Sequence, residues 1–560
     1  MRSLISVAQP HPKLQRELSK TLGILPITAQ LLINRGITDT ASAERFLRAD
    51  ICDLYDPFSF SDMQKAVQLI RQTISKRKKI MVVGDYDVDG VTATALLLGV
   101  LSDLGAQVCY YIPHRIKDGY GLPKNITHIA KEKNAHLVIT ADCGTNAQEE
   151  IENLLKSGID VIVTDHHEQN KEKLASPTVL LNPKVASCNY TFRQLAGVGV
   201  VFKLCHALID KDVFSYLDLV ALGTIADMVP LISENRIIAK EGLYVLERTQ
   251  REGIKALLAC CGITNKRITS DAINFILGPR INASGRIDKA DIALELLMTE
   301  QPEDAQRLAQ QLNQYNRQRQ KLENQILEEA HALIEQQVNF SQDKVIVIAK
   351  EGWHIGLLGI VASKIADHFY RPAILISLEN GSGRGSGRSI KKFHLYEGLH
   401  YCSKLLKNFG GHSHAVGMLI HQSDIEEFRQ KINEFAKNTL EAEDLIPTLE
   451  VDMQLELSQL NPELVDQIEH LQPFGEGNLA PLFLTKGLKI KSLPRLYKRD
   501  TVKFWVTDGI TTYSAVGFGM ANLYDRIVEA ESVDLVYRPL LDNWQGVKSV
   551  VLGVEEIFFH

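Results

Sequence analysis

In "VVGDYDVDG", residues 82–90, the carboxylates of Asp85, Asp87 and Asp89 fall on alternate positions directly after the apolar run Ile80–Val83, with Gly84 and Gly90 alongside. Carboxylates this close in a protein cleft repel one another; they either take up protons or hold a cation of opposite charge. Two cations would settle so many acids better than one. Three later stretches carry similar side chains: Asp142 in "LVITADCG", Asp165, His166 and His167 in "VIVTDHH", and Asp227 in "ALGTIADMVP". An oxygen-rich donor set with one imidazole suits Mn²⁺, with Mg²⁺ as substitute, better than zinc. Asp87 and Asp89 can face the same way if the backbone is locally extended, with the glycines allowing a sharp turn. Taken singly, each stretch has a plainer reading: an Asp-rich turn is usually a solvated loop, and Asp-His-His is also a cap followed by surface imidazoles. Their shared position after successive apolar runs favours the metal.

The elements that would bring these residues together are strands. Ile80–Val83, Gln107–Ile112, Leu137–Thr140, Val161–Thr164 and Thr178–Leu181 alternate with helix-like stretches, the pattern of a parallel sheet with crossover helices. The carboxyl ends of such strands border the ligand crevice, where these acids and imidazoles would meet. Asp227 instead follows an apolar helical segment that begins near Tyr216 and stops at Pro230; its convergence with the others is left open by the sequence.

Composition narrows the setting. At 560 residues and 45% apolar content, three or four domains are expected. A net charge of −6 excludes a global attraction to nucleic acid or membrane, so any polyanion site must be local. The N-terminal stretch has no uninterrupted apolar core, and the most apolar later segment, Val91–Leu101, is too short to span a bilayer; a cytoplasmic location is expected. The eight cysteines include no C-x-x-C spacing, which predicts reduced, packed thiols.

In order, "GDYDVDG", "TADCG", "TDHH" and "ADMVP" resemble the four motifs of the DHH phosphoesterase superfamily, and "FGGHSHAVG" resembles the Gly-Gly-His motif of its associated C-terminal domain. "PHRIKDGYGL", "LGPRINASGR", "GRGSGRS" and "LQPFGEGN" extend the likeness to the branch of single-strand-specific DNA exonucleases, over the chain from about Leu14 onward. Ser284 and Leu479 stand where that pattern has alanine and proline. The resemblance implies an α/β fold: a parallel-sheet DHH phosphoesterase domain (51–240) after an N-terminal helical extension (1–50), a helical region with a long connecting helix (241–337), a second α/β domain (338–445) and a C-terminal β-barrel of the oligonucleotide-binding (OB) type (446–560). It also implies that Asp87 and Asp89 each favour one of two metals, that Asp142 bridges them, and that His166 and Asp227 complete the second site. Asp85 is a further candidate ligand, Asp165 would orient an imidazole, and His167 would reach the scissile phosphate or assist the departing oxygen. Two ions so held stabilise the attacking and leaving oxygens together, the chemistry of a phosphodiesterase.

The rest of the chain bears on substrate size. Glu303–Gln337 contains no Gly or Pro, follows Pro302 and begins acidic, which predicts one polar spacer helix of about 50 Å holding a second α/β domain across a groove. That domain offers "GSGRGSGRSIKKFH", with Arg384, Ser386 and Arg388 among glycines whose backbone N–H groups could approach phosphate, and Gly410, Gly411 and His412 in the Gly-Gly-His motif. A flexible charged loop and a glycine turn beside a packed histidine are the plainer readings. Arg115, Arg280 and Arg286 are further phosphate candidates, against the usual alternative of surface ion pairs. By resemblance, Arg280, Arg388 and Arg115 lie near a 5′-terminal phosphate and Tyr120 is a base-stacking surface. From about Leu449 the tail reads as short strands, and Leu488–Trp505 carries six Lys or Arg interleaved with Tyr497, Phe504 and Trp505, as expected of a single-strand-binding barrel.

Three functions compete. A 5′-to-3′ exonuclease on single-stranded DNA, acting in repair and recombination, uses every feature; its polarity comes from the resemblance alone. A cyclic-dinucleotide or short-oligonucleotide phosphodiesterase shares the metal centre but leaves the barrel unexplained. A non-catalytic single-strand-binding scaffold predicts missing ligands, whereas all the acids and His166 are present. Single-strand-binding protein and a helicase are partners expected by family analogy, and a monomer with no membrane association is the expected state.

Overall fold

The structure is a computed structural model that describes residues 3–119, 121–170, 174–497, 500–544 and 547–560. It divides into two compact units: one of residues 56–227 and 242–447, the other of 3–55, 228–241 and 448–560.

The first unit contains two sheets. In the first, β1 (Lys79–Gly84), β2 (Val108–Tyr111), β3 (Ala135–Ala141), β4 (Asp160–Thr164) and β5 (Val179–Leu181) are all parallel, in the order β2-β1-β3-β4-β5. The five expected strands are all present. Their unbroken apolar runs, rather than alternation, follow from cover on both faces. The chain leaves β1 for β2 on one side and returns to β3 on the other. The crevice at the carboxyl ends of β1 and β3 is therefore the topological switch point, where open α/β sheets bind ligands. Helix α1 (Val88–Asp103) is apolar nearly all round and packs against α2 (Gly197–Ile209) and α3 (Leu217–Ala226), which explains its burial.

Further along, α4 (Gly278–Ile287) precedes the long helix α5 (Pro302–Gln337), whose 36 residues give about 54 Å. The helix was expected as a spacer, and it is more than that. Ala305, Leu308, Ala309 and Leu312 are buried in its first half, where it packs on the preceding helices, α4 among them, while Ile326, Ala330 and Ile334 enter the core of the second sheet. That sheet runs β9-β10-β8-β7-β6, from β6 (Ile346–Glu351), β7 (Ala373–Glu379), β8 (Ser382–Arg388), β9 (Leu406–Gly411) and β10 (Ala415–His421); only β6 and β7 are parallel.

The second unit is built round a barrel. Its strands are β11 (Phe483–Tyr497), β12 (Thr501–Thr507), β13 (Thr512–Phe518), β14 (Val533–Trp544) and β15 (Val547–Phe559), and pairing of β11 with β14 closes it. β13 and β15 pair in parallel and the other neighbours are antiparallel. The strands are long, up to 15 residues, where short ones were expected, because bulges at several registers let them bend round the barrel. Leu31, Leu32 and Ala43 share its core with Phe483, Phe504 and Tyr537. Arg236 ties in the 228–241 segment by donating to the carbonyls of Phe46 and Leu471, at 2.8 Å each.

Candidate active site

The carboxylates gather at the switch point. Asp85 follows β1 and its Oδ1 accepts from the Tyr86 amide (2.8 Å). Asp87 is the N-cap of α1, accepting from Gly90 N at 3.1 Å. The extended backbone expected through Asp89 ends at Asp87, because helix begins at Val88. Asp89 is thereby turned the other way, onto the first turn of α2, where its oxygens accept from Gly197 N (2.6 Å) and Val198 N (2.8 Å). Asp142, just past β3, sits at φ +66°, a left-handed conformation that Asp tolerates better than most residues. His166 Nε2 lies 3.2 Å from Asp142 Oδ1, 3.6 Å from Asp227 Oδ2 and 3.9 Å from Asp89 Oδ2. Asp227 caps the C-terminus of α3 and does join the cluster.

Three overlapping groups among the described residues could hold an ion, one of them Asp142, His166 and His167. Asp85, Asp87 and Asp142 offer atoms within 4.8 Å of one another, and so do Asp89, His166 and Asp227. Asp142 belongs both to the group with Asp85 and Asp87 and to the group with the two imidazoles, and its Oδ1 lies 3.2 Å from His166 Nε2. Burial, reinforced by Asp87, pushes Asp85 up to about 8 and Asp89 up to about 7. Burial and the surrounding acids, Asp89 first, hold Asp142 and Asp227 well above the usual carboxylate range. Burial lowers His166 to about 3, so its imidazole is neutral at pH 7. The buried Asp142 Oδ1 accepts no hydrogen bond. A neutral imidazole and an unsatisfied carboxylate oxygen at the centre of four acids fit divalent cations and lack the sulfur donors of structural zinc sites.

Asp165 behaves differently. Burial alone would raise it, but hydrogen bonding with His167 and that ring's charge keep it well below its ordinary value. Its Oδ1 meets His167 Nδ1 at 2.7 Å and accepts from the amides of His166 and His167; Oδ2 accepts from Thr145 N. Asp165 therefore orients His167, not His166. Burial would lower the His167 imidazole, yet Asp165 outweighs it and raises the pKa.

Arginines converge where the second sheet faces this cluster. Arg115 stacks over the Tyr86 ring, 4.0 Å from its centroid. Burial, with Arg115, Arg319 and Arg388 nearby, holds the Arg286 guanidinium down to about 9; its Nη1 donates to Gly356 O (3.0 Å). Burial and Arg115 also lower Arg388. Arg384, Ser386 and Arg388 share one face of β8, since alternate residues of a strand point the same way. The glycines between them do not present free N–H groups, as had been expected, because β8 is paired on both edges. They clear space instead: a Cβ at Gly383, Gly385 or Gly387 would come within 2.6–2.9 Å of Ile376, Met418 or Leu395. Gly410 and Gly411 end β9, and Gly411 at φ +129° lets the chain turn so that His412 N donates to Ala415 O. The exposed His412 is lowered by burial of part of its ring, by His414 and by Arg388. Arg280 is not among this group; it donates to Asn313 and to Ile276 O within the helical layer. Tyr120 lies outside the described residues.

Family models match three segments: the DHH family N-terminal domain over residues 79–224, the DHHA1 domain over 342–438 and the RecJ OB domain over 451–556. The single-stranded-DNA-specific exonuclease RecJ of Bacillus subtilis is 40% identical over 98% of this chain and 70% of its own length. The RecJ of Dickeya dadantii is 31% identical over 99% and 100%. The chain belongs to the RecJ family. A crystal structure of RecJ in complex with Mn²⁺ from Thermus thermophilus superposes with a TM-score of 0.85 at 28% identity, over 99% of this chain and 79% of that one. A Mg²⁺ complex of the same protein gives 0.80.

Some residues of this RecJ-family site were not anticipated from sequence. A Cβ at Gly197 would lie 2.4 Å from Asp142 Oδ1, and one at Gly223 2.3 Å from Thr92 Oγ1 and 3.0 Å from Asp89 Oδ1. Asn182 Nδ2 donates to His167 O (2.9 Å) and Thr145 Oγ1 (2.8 Å), bracing the turn that carries both imidazoles. Only Gly223, inside the apolar α3, left a sequence signal, since such a glycine marks a close approach.

Proposed function

We infer that the protein is a single-stranded-DNA-specific exonuclease that hydrolyses phosphodiester bonds with two divalent ions, Mn²⁺ or Mg²⁺, working 5′ to 3′ in DNA repair and recombination. The observation that carries this reading is Asp142 standing between two ligand groups at the switch point of the sheet. Asp85, Asp87 and Asp142 would hold one ion; Asp89, His166 and Asp227, with Asp142, the other. Bound there, the pair stabilises the attacking and leaving oxygens of an in-line displacement. His167, held by Asp165, keeps a proton beside the cluster for the departing oxygen. Arg115, Arg286 and Arg388 form no carboxylate ion pair among the described residues, which leaves their charge for the 5′-terminal phosphate, with Ser386 as a further donor. Arg280, expected at the same phosphate, has Nε and Nη1 bonded to Asn313 and Ile276 O, which makes it a less direct contributor than these three.

The barrel supports the same reading. Outward on neighbouring strands stand Trp505, opposite Ser492; Lys503, opposite Arg495; and Thr501, flanked by Tyr497 and Phe518. Trp505, Tyr497 and Phe518 are exposed while Phe504 points into the core. Aromatic faces with cations between them suit stacked bases and a phosphate backbone. A single-strand-binding protein and a helicase as partners, a monomeric state and a cytoplasmic location go with this function; no described helix is long and apolar enough to cross a membrane.

The test uses oligonucleotides labelled at either end, single- or double-stranded, with Mn²⁺. Release of label first from the 5′ end of single strands is expected. Preference for duplex, or first release from the 3′ end, contradicts it.

A further inference from the structure

Tyr86 lies between Asp85 and Asp87 and is not itself a candidate ligand, yet it is buried at the cluster. Its backbone has little room to move. A Cβ at Gly90 would come 2.6 Å from Asp85 O, and one at Gly285, on α4, 2.8 Å from Tyr86 O. On the ring of this fixed residue rests the guanidinium of Arg115, which arrives from the loop after β2. Arg115 Nε is buried without a hydrogen-bond partner, and no carboxylate stands within ion-pair distance of Arg115 among the described residues. The ring is what holds it. Arg286, next in sequence to the Gly285 that abuts Tyr86, and Arg388 of β8 both feel the Arg115 charge. One residue thus touches the ligand-bearing turn, α4 and the arginine group at once.

We propose that Tyr86 is a positioning residue: by carrying Arg115 on its ring it fixes the terminal-phosphate pocket relative to the metal-ligating turn, and so sets the spacing between the anchored phosphate and the bond that is cut. This rests on the reading of the arginine group as the 5′-phosphate site. A cation over a buried aromatic face is held in direction as well as place, and a planar guanidinium is held better than an ammonium. With the platform one residue away from Asp85 and Asp87, anchor and scissile bond cannot drift apart independently. Removing the ring would free Arg115, weaken preference for a phosphorylated end and let the strand settle in more than one register.

The experiment compares single strands bearing a 5′-phosphate or a 5′-hydroxyl, in the full chain and in Y86L, Y86F, R115A, R115K and Y86L/R115A. In Y86L the ratio of KM values between the two ends is expected to collapse by about tenfold, the scale of a buried cation–π contact. Released products should broaden in length, and Y86F should restore both. The same ratio read as Kd in EDTA, with no turnover, should follow. In the double variant, Y86L should add nothing to R115A. Equal loss on both ends, failure of Y86F to restore the ratio, or additive losses in the double variant would overturn the proposal, since Tyr86 would then act through the ligand turn alone. If Y86L does not fold, R115K decides: the proposal requires it to lose the ratio, and retention overturns it. An R115A protein with an unchanged ratio has a different signature and removes the underlying phosphate reading itself.

Discussion

Four carboxyls raised by burial and mutual repulsion give the metal-free protein an unusual response to pH. Asp85, at about 8, and Asp89, at about 7, together with Asp142 and Asp227, bind protons more tightly folded than unfolded. Their stabilising effect is complete below the unfolded value near 4 and is lost as pH rises through the folded values. His166, lowered to about 3, acts oppositely below its unfolded value, but as one group against four. In EDTA, Tm should therefore fall between about pH 5.5 and pH 8.5, and Mn²⁺ should raise Tm more at the upper end; equal Mn²⁺ shifts at both would contradict the cluster. Asp142→Asn should reduce nucleotide release by about a thousandfold or more and abolish most of that Mn²⁺ shift, as expected when the group shared by two ions is changed. At this scale the sequence was informative because acids and imidazoles after strands announce themselves by type and place. Gly197 and Asn182 were not legible, and Gly223 only as an unexplained helix glycine, since what each one serves lies far away in the chain. The assignment of Asp87 and Asp89 to different ions came from the resemblance; what the residues alone did not show is its cause, the start of helix at Val88.

Strand β8 separates two duties by its alternation. Its glycines face the packed side and Arg384, Ser386 and Arg388 the other. Gly387→Val, forced against Leu395 and Val416, should cost about 1–3 kcal/mol in urea unfolding, the range for overpacking. Arg388→Ala should cost less stability than Gly387→Val, since it removes a desolvated charge and overpacks nothing, and should raise KM for 5′-phosphorylated strands. Glycine has poor strand propensity, so "GSGRGSGR" reads locally as a loop; the neighbours on both edges that make it a central strand are supplied by β7 and β10. The five strands of the first sheet were legible for the opposite reason, each being a compact apolar run with its own stop. The long helix was legible in extent from its lack of Gly and Pro, and its burial in two cores was not, because a mostly polar composition hides a narrow apolar stripe.

Across the whole molecule, the second unit is assembled from three separated pieces of chain. Leu31, Leu32 and Ala43 lie in the core that the barrel closes, and Arg236 clips Phe46 and Leu471. Deleting 448–560 should leave 3–55 and 228–241 open to limited proteolysis while 56–227 stays resistant; protected N-terminal helices would refute the shared core. Neither stretch alone signals this, because each is a short amphipathic set whose partner is hundreds of residues distant. The same dispersal affects the acids and imidazole of the cluster, which come from separate turns between positions 85 and 227. On the proposed ligand set, a nascent polypeptide emerging from the ribosome could not assemble the complete metal site until Asp227 had been translated and docked.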